Sequence, residues 1–131
     1  MKTNRIFYSN SKASFYHLRE EKELRFLKDR FPEGIIISPN YDFEEYKDAR
    51  VCNATIDTCD MVIVSERKGF IDMGEFIAVT RAFSNKTKVY RLQNNISEYL
   101  FFEVFGVEIV DEDDWIEKYA RLITSLSVIK L

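Results

Sequence analysis

The chain alternates short, wholly apolar runs with longer stretches in which apolar residues return every three or four positions. The runs are Arg5-Ile6-Phe7-Tyr8, Ile35-Ile36-Ile37, Met61-Val62-Ile63-Val64-Ser65 and Lys88-Val89-Tyr90-Arg91-Leu92. Such runs read as strands buried on both faces, as in parallel sheets that helices cover on two sides. Between them, Phe15 to Arg30 carries Leu18, Leu24, Leu27 and Phe31 on one side, and Phe31-Pro32-Glu33-Gly34 stops that helix. Phe43 to Thr58 repeats the spacing through Tyr46, Ala49, Cys52 and Ile56, and Glu75 to Ser84 forms the next helix.

Further on the pattern weakens. Ile96 to Phe105 is ambiguous and is read as a short helix that Gly106 closes, while Val107-Glu108-Ile109-Val110 alternates as an edge strand does. The acidic run Asp111-Glu112-Asp113-Asp114 complements a helix amino end. A final helix is expected after it, with Trp115, Tyr119, Leu122 and Leu126 near one face. The whole predicts a single α/β domain over residues 1–131. It is a three-layer α/β/α, Rossmann-like arrangement whose five-stranded, mostly parallel sheet has the flavodoxin-like order 2-1-3-4-5.

Composition narrows the function. A chain of 131 residues with 46% hydrophobic side chains is long enough for one real core. The net charge of −3 without a Lys/Arg block argues against nucleic acid as a partner. No stretch approaches the ~20 apolar residues of a membrane span, and no leader precedes Arg5, so the expectation is a cytoplasmic protein with no membrane partner. Cys52 and Cys59, seven apart, read as small buried hydrophobes, and the single histidine, His17, has no companions for a metal site. No G-x-G-x-x-G follows the first strand, against a dinucleotide, and the third strand ends in Ser65 rather than a phospho-accepting aspartate, so a flavin or response-regulator reading does worse and no cofactor is expected.

The stretch Met61 to Ala78 is where chemistry concentrates. In the order 2-1-3-4-5, the loops after strands 1 and 3 diverge and leave a ligand crevice between them. Ser9, Asn10 and Ser11 through Ser14 form one wall, and Glu66 to Glu75, with Gly69 and Gly74, the other. Hydroxyls, amides and free backbone N–H groups there suit a phosphate or sugar hydroxyls. The same residues have bland readings. Ser9, Ser11 and Ser14 serve as caps of the first helix. Asp72-Met73-Gly74-Glu75 is a capping box worth about 0.5–2 kcal/mol, and Arg67 and Lys68 are solvated loop charges. On the functional reading, Glu75 projects into the crevice to attack an anomeric carbon or hold a ribose hydroxyl, and Asp72 binds a sugar hydroxyl or protonates a leaving base.

The entry Ile56-x-x-Cys59-Asp60-Met61-Val62-Ile63-Val64, the turn Gly69-x-x-Asp72-x-Gly74 and the helix to Ala82, Lys86 and Val89 resemble nucleoside 2-deoxyribosyltransferases and their relatives that hydrolyse nucleotide N-glycosidic bonds. The resemblance implies a nucleoside or nucleotide as small-molecule substrate, catalysis by a carboxylate in the strand-3/helix-3 loop, and a homodimer. Taken with the crevice reading, the candidate catalytic residues are Glu75 and Asp72, and the candidate substrate-binding residues are Ser9, Asn10, Ser11, Asn53, Gly69 and Gly74. Aligning Asp72, Gly74, Ala82 and Val89 without a gap sets Ala78, not Glu75, where the family carries its glutamate, and Asn53 stands near an expected aspartate. The alternatives are therefore a non-catalytic nucleotide-binding protein and a TIR-like interaction module. The last would present Tyr99-Leu100-Phe101-Phe102 and Phe105 to a partner.

Overall fold

The computed structural model describes residues 4–11, 17–42, 49–66, 69–95, 98–110 and 119–131. Four strands, β1 (Arg5–Ser9), β2 (Ile35–Ile37), β3 (Met61–Ser65) and β5 (Lys88–Asn94), pair in parallel, β1 lying between β2 and β3, and β3 between β1 and β5. Their side chains alternate between two cores, as a strand's period of two requires. Ile6, Tyr8, Ile63 and Leu92 point to one side, where helix α1 (Leu18–Arg30) supplies Leu24 and Leu27. Phe7, Val62, Val64 and Val89 point to the other, where α3 (Ala49–Ile56) brings Ile56 and α4 (Met73–Ser84) brings Ala78, Val79 and Ala82. A short α2 (Pro39–Asp42) follows β2.

The remaining strands do not continue this pattern. β6 (Tyr99–Val110) runs antiparallel to β5, β7 (Tyr119–Thr124) antiparallel to β6, and the two-residue β4 (Phe70–Ile71) pairs antiparallel with β7. The sheet is thus mixed and seven-stranded, in the order β2-β1-β3-β5-β6-β7-β4. This overturns the five-stranded, mostly parallel flavodoxin-like sheet. No helix occupies Ile96 to Phe105 among the described residues; Tyr99 onward is strand, which its aromatic and β-branched content favours. Val107 to Val110 is strand, as expected, but as the far half of β6 rather than a strand of its own; it pairs with β7, and β5 reaches along β6 only to Glu103. Tyr119 to Thr124 is a strand where a helix was expected, because Ala120 and Leu122 are buried while Arg121 and Ile123 are exposed, a period of two. Trp115 and the acidic run lie outside the described residues, as do Phe15, Tyr46, Ser14, Arg67 and Lys68.

This extension matters for the site. By pairing with β7, β4 ties the segment after β3 to the far end of the sheet, burying Ile71 one residue before Asp72 opens α4. The start of α4 is therefore held from both sides. Its other end closes in a Schellman motif, with Thr87 N–H donating to the Ala82 carbonyl at 2.8 Å and Lys86 N–H to that of Phe83 at 3.0 Å. Lys86 has φ 59 and is exposed, a left-handed conformation that glycine adopts without the Cβ penalty. Lys86→Gly is expected to raise stability by about 1 kcal/mol, read as a higher melting temperature. Cys52 and Cys59 are free thiols; Cys59 is buried, which pushes its thiol up, and Cys52 is half-buried. Among the described residues, no helix is long and apolar enough to cross a membrane.

Candidate functional site

Two helices and two strand ends converge beside the carboxyl ends of β1 and β3. Helix α1 extends its core-facing stripe back from Leu27 and Leu24 by one turn, but the positions there are Glu23 and Glu20. Both glutamates are buried, at 1% and 0% exposure. Buried carboxyls need partners, and each of these has two. Glu23 accepts from the Tyr8 hydroxyl at 2.6 Å and from Arg19 Nε at 3.1 Å. Glu20 accepts from the carboxamides of Asn10 at 2.7 Å and Asn40 at 3.0 Å, tying α1 to the residues after β1 and β2. Burial pushes the Tyr8 hydroxyl far up, and the Glu23 charge adds to it, so Tyr8 stays a neutral donor. Arg19 also donates to the Glu66 carbonyl after β3, so it spans the crevice from α1 to the β3 loop.

Glu75 enters from the opposite wall. Asp72 is the N-cap of α4: its Oδ1 accepts the Glu75 N–H at 2.9 Å, and Glu75 Oε1 accepts the Asp72 N–H at 3.4 Å, the reciprocal pair of a capping box. The capping function is real, yet it uses one carboxyl oxygen only. Glu75 is 2% exposed, and its Oε2 has no hydrogen-bond partner among the described residues. Burial raises its carboxyl well above the usual glutamate range, and the Asp72 charge adds to this. Arg19 acts in the opposite sense and Glu23 in the same one, which sets Glu75 within the field of the α1 cluster.

Of the residues singled out in the sequence, Glu75, Asp72 and Asn10 thus belong to buried or half-buried networks at this crevice. Ser9 ends β1 and is buried, and Ser11 follows half-buried; neither caps α1, whose N-cap is His17 without a side-chain cap bond. Gly69 takes φ 87, a conformation suited to glycine, and donates its N–H to the Glu66 carboxylate. Gly74 is an exposed residue of the first turn of α4. Asn53 sits on α3, and no hydrogen bond among the described residues joins it to the carboxyl cluster. Ala78 is buried in the apolar core with Val79 and Ala82, so a glutamate there would face hydrophobic side chains. Glu75 is the carboxyl group of α4, bonded to Asp72 and within the field of Arg19 and Glu23.

Sequence reading missed Tyr8, Arg19, Glu20, Glu23 and Asn40. The signal existed: Glu20, Glu23, Leu24, Leu27 and Phe31 follow the i, i+3, i+4, i+7 spacing of one buried face. Leu18, which was placed on that face, is 61% exposed. Beside the cluster opens a cleft of about 560 Å³, lined by Arg19 and Lys22 of α1, Glu66, Gln93 and Asn94 at the end of β5, and Tyr99 at the start of β6. Among the described residues, no three or more His, Cys, Asp or Glu side chains gather to hold a metal ion. The crevice thus sets a buried carboxyl of raised proton affinity on one wall and Glu23, served by Tyr8 and Arg19, on the other. No family model, no curated protein and no solved structure matches the chain.

Proposed function

We propose that this protein hydrolyses, or transfers across, the N-glycosidic bond of a nucleoside or nucleotide, with Glu75 as the reacting carboxyl group. The observation that carries the reading is Glu75 itself, a buried carboxyl with one oxygen unpartnered among the described residues, whose proton affinity burial and the Asp72 charge raise. Breaking the bond between C1′ and the base nitrogen leaves negative charge on the base and positive charge on the sugar. Glu75 gives its proton to the departing base, so that a neutral base leaves. The carboxylate that remains faces the oxocarbenium ion and stabilises it. Water, or the N–H of a second base, then adds to C1′, and its proton returns to Glu75. The balance is closed without an oxidant or reductant.

The other residues support this pair of steps. Tyr8 and Arg19 donate to Glu23 and hold a second negative charge near the developing cation. Asp72 is a positioning residue: it fixes the first turn of α4 and raises the proton affinity of Glu75. The turn Gly69-x-x-Asp72-x-Gly74, one of the stretches that resemble deoxyribosyltransferases, leads directly into Glu75, although the ungapped alignment sets Ala78 where that family carries its glutamate. The test is incubation of purified protein with a panel of nucleosides and nucleotides, following free base by chromatography. The expected result is base release from at least one member, lost in Glu75→Gln. Thermal stabilisation by a nucleotide without any base release would instead point to a binding protein of the same architecture.

A further inference from the structure

We infer that the cleft between α1 and the β5–β6 turn seats a planar heteroaromatic ring bearing an acceptor or anionic group, with Tyr99 as the platform for the ring and Lys22 as the anchor for the group. The inference rests on the proposed reaction only for identifying that ring as part of a nucleoside or nucleotide. The cleft, at about 560 Å³, lies within the roughly 300–1,000 Å³ typical of small-molecule sites. Tyr99 is braced from behind by Phe26, with ring centroids 4.6 Å apart and planes 29° apart, and Phe26 in turn packs on Phe101 at 5.8 Å. A braced ring is a platform that loses little entropy when a base stacks on it. Burial raises the Tyr99 hydroxyl, so it remains a neutral donor across the physiological range.

The polar groups around that ring are unequal in their commitments. Arg19 is engaged with Glu23 and the Glu66 carbonyl, and Gln93 with Arg91 and Asn95. Lys22 and Asn94 line the same cleft and are exposed, and their side chains make no hydrogen bond or ion pair among the described residues. Lys22 offers three donors and a positive charge, and with Arg19 it sets two cations against the one carboxylate of the lining, Glu66, which accepts the Gly69 N–H at one oxygen. The cleft therefore favours acceptors over donors: a ring carbonyl or a phosphate. Arg19 links it to the carboxyl cluster, lining the cleft while holding Glu23. Tyr99 belongs to β6, so this subsite depends on the antiparallel half of the sheet.

The test is calorimetric binding of inosine, adenosine and their 5′-monophosphates to the full chain and to Tyr99→Leu, Tyr99→Phe and Lys22→Glu, with base release measured on the same samples. Tyr99→Leu keeps the packing on Phe26 and is expected to weaken every ligand by about tenfold, while Tyr99→Phe stays close to the parent. Lys22→Glu is expected to weaken one group about tenfold: a loss confined to the monophosphates places phosphate at Lys22, and a loss in inosine over adenosine places the ring carbonyl there. Ligands that bind Tyr99→Leu and Lys22→Glu as tightly as the parent overturn the subsite, as does failure of all four to bind the parent. Ring-dependent binding without base release keeps the subsite and removes the reaction. Base release that neither substitution disturbs keeps the reaction and removes the subsite.

Discussion

Glu75→Gln is expected to abolish base release, by about a hundredfold or more, while making the protein more resistant to alkaline pH than its parent. Both effects have one cause. Burial, with Asp72 adding to it, holds the carboxyl above the usual glutamate range in the folded chain, whereas the unfolded chain releases that proton near pH ~4.3. Between those two values the folded state carries one proton more than the unfolded state. Stability then falls as pH rises, by up to about 1.4 kcal/mol per pH unit. The contribution is fully present below pH ~4 and is lost as pH rises through the folded-state value. Glutamine does not titrate, and its oxygen still accepts the Asp72 N–H that Glu75 Oε1 accepts at 3.4 Å. Melting temperatures of parent and variant are therefore expected to be close at pH 4 and to separate in favour of the variant toward pH 8. Parallel curves over that range would contradict a buried neutral Glu75, and undiminished base release would remove it from the chemistry.

Glu20→Ala is the second large effect expected, and it acts on folding rather than on the reaction. The Glu20 carboxyl is the acceptor for two buried carboxamides, Asn10 Nδ2 at 2.7 Å and Asn40 Nδ2 at 3.0 Å. Truncation strands both donors away from water, at about 1–3 kcal/mol each, and leaves a cavity under α1. A loss of about 3 kcal/mol or more is expected, on the order of 10 °C in melting temperature. Glu20→Gln is milder, about 1 kcal/mol, because one oxygen persists and an asparagine amide can turn to meet the new NH₂. A Glu20→Ala protein that melts within about 2 °C of the parent would show that the segments after β1 and β2 are not held through this carboxyl.

The parts of the fold that could be read from the chain are those where one physical signal dominates. Met61 to Ser65 is apolar on both faces because helices lie on both sides, and it is a strand, as is Ile35-Ile36-Ile37 at the end of the sheet, where Ile35 is exposed. Asp72 and Glu75 are three apart before an apolar run, and they form the expected capping box. The second half misled for a physical reason too. Tyr119, Leu122 and Leu126 are spaced like a helix face, but Leu126 is fully exposed and Leu122 is buried with Ala120 in a strand. The pairing of β4 with β7 joins Phe70 to Arg121 and Ile71 to Ala120, partners far apart in the chain, through backbone hydrogen bonds, and leaves no local mark on a two-residue strand.

The site shows the same division. Glu75 was legible from its own turn, whereas Glu20 and Glu23 were hidden because charges on a helix are ordinarily solvated. Only continuation of the stripe from Phe31 through Leu27 and Leu24 points to them, and only the fold brings Tyr8, Asn10 and Asn40 to serve them. Arg19 draws its importance from reaching across to Glu66, a contact between residues 47 positions apart.

The central claim is that Glu75 waits in the crevice as a neutral acid, and the most direct measurement is the pH titration of its side-chain carboxyl carbon by ¹³C NMR, with the Glu75→Gln protein identifying the resonance. The account predicts a midpoint well above the usual glutamate value of ~4.3, with the Asp72→Asn protein titrating lower as the neighbouring charge is removed. A Glu75 midpoint at or below that usual value would mean an ionised carboxylate in the crevice and would contradict it.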